Sequence, residues 1–156
     1  MATVSRVYVG VDLGDKRIGL AKSDPLGLLA SPVTTLRRRS HSADVDAIVR
    51  FASESGALEI VVGMPTSMSG ETGPQAQRTA DFVRSLSGQS HVPVRTQDER
   101  MSSVEAEAML RAAGKRPSRD KASVDAAAAA IILQRFLDRL NSTPRRRRQP
   151  TRSPNL

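Results

Sequence analysis

Cysteine and tryptophan are absent from these 156 residues, and aromatic residues make up 3% of them. Without cysteine there are neither disulfides nor thiolate metal sites. The two histidines, His41 and His91, stand far apart in polar surroundings and do not make a zinc site. A metal held by this chain would be held by oxygen, which points to magnesium or manganese. The shortage of rings leaves Val, Leu, Ile and Ala to build the core. Long apolar runs are missing too. The N-terminal one is short and broken by Asp12, and none approaches the roughly 20 residues of a membrane span. No export signal is legible. A cytoplasmic protein without membrane contact is expected, with a length that suits one domain and a real core.

The charge that is present is unevenly placed. The net charge is +8, yet residues 141–156 carry Arg145, Arg146, Arg147, Arg148 and Arg152 and no acid. Setting those five aside leaves +3 for the body, a modest excess. Arg37, Arg38 and Arg39 form a second basic cluster. Such clusters attract phosphate backbones without reading sequence. They also serve as solubilising surface, and composition alone does not separate the two roles.

Hydrophobic periodicity gives an order of elements. Val7–Leu13 and Ile18–Asp24 read as strands paired across a Gly14–Arg17 turn. A loop punctuated by Pro25, Gly27 and Pro32 leads to a short strand near Val33–Leu36. A helix is expected over His41–Ser55, capped by Ser42 and ended by Gly56. Leu58–Gly63 reads as a buried parallel strand, Met64–Gly73 as a loop and Pro74–Leu86 as a helix. Val92–Gln97 reads as a strand that Pro93 confines to the sheet edge. Ser103–Ala113 reads as a short helix, Gly114–Lys121 as a charged loop and Ser123–Leu140 as a long alanine-rich helix. The fold class is α/β: a mixed five-stranded sheet, three antiparallel strands and then parallel additions, flanked by helices. Residues 1–141 form one domain, and 142–156 a disordered Arg-rich tail.

Four acids stand out from the surface charge. Asp12 lies within the first apolar strand, where an ionised carboxylate needs a partner or a metal. It either faces solvent at a strand end or holds a cation beside a phosphate met by the following turn. Asp98 and Glu99 end the last strand, where ligands gather in open sheets. Asp125 lies in the first turn of the final helix, a place the helix dipole favours for an anion. Helical spacing from Asp125 passes through Ala129, Ile132, Phe136 and Leu140, so this acid faces the sheet. Asp12 and Asp125 could then share a divalent cation.

Four blocks in register now carry a resemblance. They are Gly10-Val11-Asp12-Leu13-Gly14-Asp15-Lys16-Arg17-Ile18-Gly19; Val61-Val62-Gly63-Met64-Pro65 with Gly70 and Gly73; Asp98-Glu99-Arg100-Met101-Ser102-Ser103; and Lys121 with Val124-Asp125-Ala126-Ala127-Ala128. Together, over about residues 6–140, they resemble the YqgF family, also called RuvX. Its members are described as Holliday junction resolvases, and many as pre-16S rRNA nucleases. The resemblance implies a ribonuclease H-like fold and a magnesium- or manganese-dependent phosphodiesterase site. By position, Asp12, the Asp98–Glu99 pair and Asp125 would be the metal ligands, with Asp12, Glu99 and Asp125 catalytic. Glu99 is preferred within the pair because strand alternation sends the two side chains to opposite faces and Glu reaches further. Lys16 and Arg17 would orient phosphate, with Arg100, Lys121, Arg37, Arg38 and Arg39 as further nucleic-acid contacts. The expected chemistry is hydrolysis of a phosphodiester by metal-activated water, with two cations about 3.5–4 Å apart.

The chain departs from the wider ribonuclease H pattern at Gly63-Met64-Pro65. An acid usually ends the strand beside the first one, and here none does. If Asp98–Glu99 lies one strand further out, its backbone is roughly 10 Å from that of Asp12. An incomplete two-metal site with low intrinsic activity would follow.

Three functions fit these residues. The first is a nuclease of structured RNA that trims the 5′ end of pre-16S rRNA in ribosome biogenesis. The second is a Holliday junction resolvase cutting branched DNA in recombination and repair, a role that suits a homodimer. The third is a nucleic-acid-binding protein with little catalysis. An ATPase of the sugar-kinase or actin type needs two such domains, and the chain contains no GxxxxGK[ST] loop. The tail yields a test of its own. Removing residues 142–156 should weaken nucleic-acid binding and flatten its salt dependence, because fewer phosphate counterions are released. Affinity measured against salt concentration checks this, and an unchanged affinity would make the arginines solubilising only.

Overall fold

The computed structural model of the chain describes residues 5–65, 73–99 and 121–142. Strands β1 (Tyr8–Leu13) and β2 (Arg17–Ser23) pair antiparallel, and β3 (Ala30–Arg37) continues the meander. Helix α1 (His41–Ser55) crosses to β4 (Glu59–Pro65), which lies parallel beside β1. Helix α2 (Pro74–Gln89) then leads to β5 (Val94–Glu99), parallel to β4, and α3 (Lys121–Ser142) ends the described chain. The sheet order is β3-β2-β1-β4-β5. This is the mixed five-stranded sheet that the periodicity predicts.

Strand alternation divides the core into two layers. Val9, Val11, Ile18, Leu20, Ile60 and Val62 face α1 and α2, where Val45, Ile48, Phe82 and Leu86 close the packing. Tyr8, Ala21 and Val61 face α3, against Ala129, Ala130, Ile132, Leu133 and Leu137. The two faces differ in character. Branched residues and Phe82 fill the α1/α2 side, whereas small residues line much of the α3 side.

The elements differ from the periodicity in a few places, each with a local cause. Strand β3 begins at Ala30 and contains Pro32, where a loop was expected. Proline is tolerated there because β3 is an edge strand and because Pro32 pairs with Ala21 at a register shift between Leu20 and Ala21. Pro93 stands just before β5, the other edge, as expected. The cap of α1 is Ser40, whose hydroxyl accepts from the Ala43 amide at 3.2 Å, and not Ser42. Gly56 ends that helix in the left-handed region, φ 66°. Helix α3 includes Lys121 and Ala122, strong helix formers that simply extend it. Asp125 therefore sits beyond the first turn, and the dipole argument made for it loses most of its force. The expected helix Ser103–Ala113, most of the expected loops 64–73 and 114–121, and all but the first residue of the 142–156 tail lie outside the described residues. Among the described residues no helix is long and apolar enough to cross a membrane.

The cap assignment is open to measurement. Ser40→Ala should lower stability by about 1 kcal/mol, while Ser42→Ala, inside the first turn, should be near neutral. Urea midpoints of the two variants read the difference.

Candidate nucleic-acid processing site

The site is built where α3 meets the β1–β2 hairpin. Gly14 donates its amide to the Arg17 carbonyl at 2.9 Å, closing the hairpin over Asp15 and Lys16. Asp12 and Gly19 are partners in the ladder behind this turn, so both occupy one rung and one face. That face is the α3 face. A Cβ on Gly10, two residues before Asp12, would lie 2.7 Å from Leu133 Cβ, and one on Gly19 would collide with the Asp125 carbonyl oxygen. The helix backbone at Asp125 thus rests directly on the rung that carries Asp12. No side chain longer than hydrogen fits between them.

Asp12 and Asp125 are both half-buried. The Asp125 carboxylate Oδ2 accepts from Arg17 Nε at 2.7 Å, with the two side chains 25% and 33% exposed. The expectation that Asp125 faces the sheet holds. Ala129 and Ile132 follow it into the core, Phe136 is half-buried against Tyr8, and Leu140 at the far end is exposed. Its nearest compensation is a guanidinium, a pairing that sequence spacing did not suggest across 108 residues.

The parallel ladders extend the same rung outward. Gly63 pairs with Gln97, and continuing the Val11–Val62 register by one residue brings Asp12 level with Gly63. Gln97 is buried and accepts from Arg139 of α3 at 3.2 Å, which fixes its parity on the α3 face. The Glu99 position, two residues on, shares that parity and pairs with Pro65. Asp98 has the opposite parity and is exposed. Since β5 is the second strand from β1, the Glu99 backbone position lies at least roughly 10 Å from Asp12 across the sheet. Among the described residues no group of three or more His, Asp or Glu stands close enough to hold a metal ion. The side chains of Glu99 and Lys121, and all of Arg100, lie outside the described residues.

The basic residues split into different roles. Arg38 donates through Nε to Asp44 at 2.9 Å and through Nη1 to the Gly14 carbonyl at 2.9 Å, and its guanidinium stands over Phe82 at 5.5 Å. It locks the hairpin to α1, so of the three arginines expected to meet phosphate it is the one already committed to the protein. Asp44, 4% exposed, is the partner that reading Arg37–Arg39 as a uniform run missed. Arg37, Arg39 and Lys16 are exposed. On the opposite face from α3, Leu13, Asp15, Arg38, His41, Arg78 and Phe82 line a cavity of about 250 Å³.

A sheet in this order, with α3 laid across its first strands, has the ribonuclease H-like fold. Solved structures agree on the fold. RuvC of Thermus thermophilus superposes with a TM-score of 0.58 at 16% identity, over 86% of this chain and 96% of that one. The fowlpox virus resolvase, solved with Holliday junction DNA, gives 0.54 at 9% identity, over 86% and 98%. More specifically, the chain belongs to the RuvX family, described as Holliday junction resolvase, whose family model matches residues 6–139. A relative from Nocardioides sp. is 47% identical over 141 residues, spanning 88% of this chain and 90% of its own length. One from Synechococcus sp. is 45% identical over 130 residues, spanning 83% and 87%. Both relatives carry the name "Putative pre-16S rRNA nuclease".

The contact at Gly19 gives a direct test of how the two acids are held together. Gly19→Ala must push α3 off the sheet, because the obstructing atom is backbone. The expected loss is at least about 2 kcal/mol, toward the upper end for overpacking. Denaturant unfolding measures it, and a loss below about 0.5 kcal/mol would show that helix and sheet are not held so closely.

Proposed function

We propose that this chain is a divalent-metal-dependent nuclease that hydrolyses phosphodiester bonds in structured nucleic acid, with the 5′ end of pre-16S rRNA as its substrate. One observation carries the reading: Gly19 lets the Asp125 backbone rest on the rung of Asp12, joining acids from opposite ends of the chain on one face. A structural role alone would not require two half-buried carboxylates there, since each incurs a desolvation cost that an apolar pair would avoid. The names of the relatives favour ribosomal RNA, and a cytoplasmic setting goes with that substrate.

The available donors suit magnesium or manganese, because they are carboxylate oxygens with no histidine or sulfur among them. Asp12 and Asp125 would hold the cation, with Glu99 reaching in from β5. A bound cation would supply Lewis-acid activation of water and neutralise charge on the phosphate. The chain's own residues do the rest. Lys16, at the exposed tip of the hairpin, and the exposed Arg37, at the end of β3, and Arg39, just beyond it, meet the phosphate backbone as charge-assisted donors. The committed Arg38 holds the hairpin tip at a fixed position relative to α1. Gln97 and Arg139 tie β5 to α3, which keeps the strand bearing Glu99 in register with the helix bearing Asp125.

The family description favours a second reading, cleavage of branched DNA at the same carboxylates, for which a homodimer would match the two-fold symmetry of a junction. Gly63, where an acid would complete a ligand set, favours weak catalysis under either reading. With manganese, the wild-type protein should cleave precursor ribosomal RNA faster than a four-way DNA junction. Asp12→Asn should abolish cleavage of both while leaving the thermal unfolding profile intact. Equal cleavage by wild type and variant would remove the site as assigned, and a preference for the junction would select the second reading.

A further inference from the structure

The salt bridge between Arg17 and Asp125 has a second use, which rests on the nuclease reading of this site. We infer that Arg17 is an exchangeable counterion: it neutralises Asp125 until a divalent cation takes the carboxylate, and is then released toward a phosphate of the nucleic acid. Arg17 and Asp125 are paired with each other, Nε donating to Oδ2 at 2.7 Å. Both ends are open to solvent, at 33% and 25% exposure, so neither is sealed in place. The pair uses one guanidinium nitrogen and one carboxylate oxygen, and Arg17 keeps its two terminal nitrogens to donate elsewhere.

The neighbouring strand supplies an independent reason for the exchange. Arg17 pairs in the ladder with Arg37, so two guanidiniums stand on one rung and one face. Like charges directly opposite each other repel, and the arrangement calls for an anion. Asp125 supplies that anion to Arg17 when no cation is present. A cation bound at Asp125 would withdraw it and add positive charge beside the guanidinium. Arg17 and Arg37 would then form a paired cationic site next to the carboxylates, suited to the planar, two-point recognition of phosphate that arginine provides. Cation binding and phosphate binding become coupled, each favouring the other.

A rival role is that Arg17 merely orients Asp125 from behind, as partners of ligating groups commonly do. The two roles predict opposite signs. If Arg17 orients, its loss weakens metal binding. If it competes, its loss strengthens it.

The experiment measures Mn2+ affinity by electron paramagnetic resonance for wild type, Arg17→Gln, Arg17→Lys and Asp125→Asn, each checked for native circular dichroism. Arg17→Gln should bind Mn2+ about fivefold more tightly, the size expected when a half-exposed ion pair no longer competes. Arg17→Lys should stay near wild type. In parallel, a labelled stem–loop RNA is bound with and without Ca2+. Ca2+ should raise the affinity of the wild type severalfold and leave that of Arg17→Gln unchanged. Weaker or unchanged Mn2+ binding by Arg17→Gln, with binding lost in Asp125→Asn, overturns the exchange but leaves the nuclease site standing. No Mn2+ binding by the wild type, or full binding by Asp125→Asn, overturns both.

Discussion

The arrangement depends on how closely a helix can lie on a sheet. Most helices are held off a sheet by the side chains between them. Here the sheet offers Gly10 and Gly19, and α3 offers Ala126, Ala129 and Ala130, so backbone meets backbone. Such contact loses the large apolar areas that Leu or Phe would bury, and the α1/α2 side of the sheet makes up for it with branched residues and Phe82. What the close approach supplies is position. A carboxylate one carbon from its backbone is placed as accurately as the backbone itself, and aspartate is the acid at both places.

Much of this was legible in the chain, and what was not depended on contacts between distant segments or on local backbone conformation. Alternation and helical spacing are properties of neighbouring residues, so the order of elements along the chain, the sheet-facing side of α3 and the helix bounds of α1 could be read from them. The Gly19 contact could not. Gly19 reads as one more residue of the strand Ile18–Asp24, and nothing local distinguishes a glycine that makes room for a distant helix. The pairing of Arg17 with Asp125 was hidden for the same reason. Pro32 misled in another way: proline reads as a loop until one knows that its strand lies at an edge with a bulge beside it. Ser40 and Ser42 are two serines competing for one cap, and only the backbone conformation separates them.

The three arginines at positions 37 to 39 show why a charge run is a poor unit of inference. They are adjacent in sequence, yet Arg38 turns inward to Asp44, Gly14 and Phe82, while Arg37 and Arg39 remain exposed. Burial of Asp44 demands the inward one, because an uncompensated buried carboxylate is far more costly than a lost surface contact. Alternation at the end of β3 then directs the other two outward. A basic cluster thus contains one residue that builds the hairpin's support and two that can meet a ligand.

The absence of an acid at Gly63 follows the same geometry. Gly63 is buried on the rung of Asp12, between it and Gln97. A carboxylate there would stand beside Asp12 without any guanidinium the described residues provide on β4, so two like charges would share a dry site until a cation arrived. As the proposed third ligand, Glu99 would stand instead on an edge strand, one pair of residues further along. The ligand set would then be easier to fold without metal and harder to close around it, since the longer glutamate must be ordered to reach across a strand. An enzyme built as proposed would give up intrinsic rate for stability in the metal-free state. Arg17 on Asp125 answers the same problem, since it is the charge that allows the second carboxylate to remain half-buried before any cation is bound.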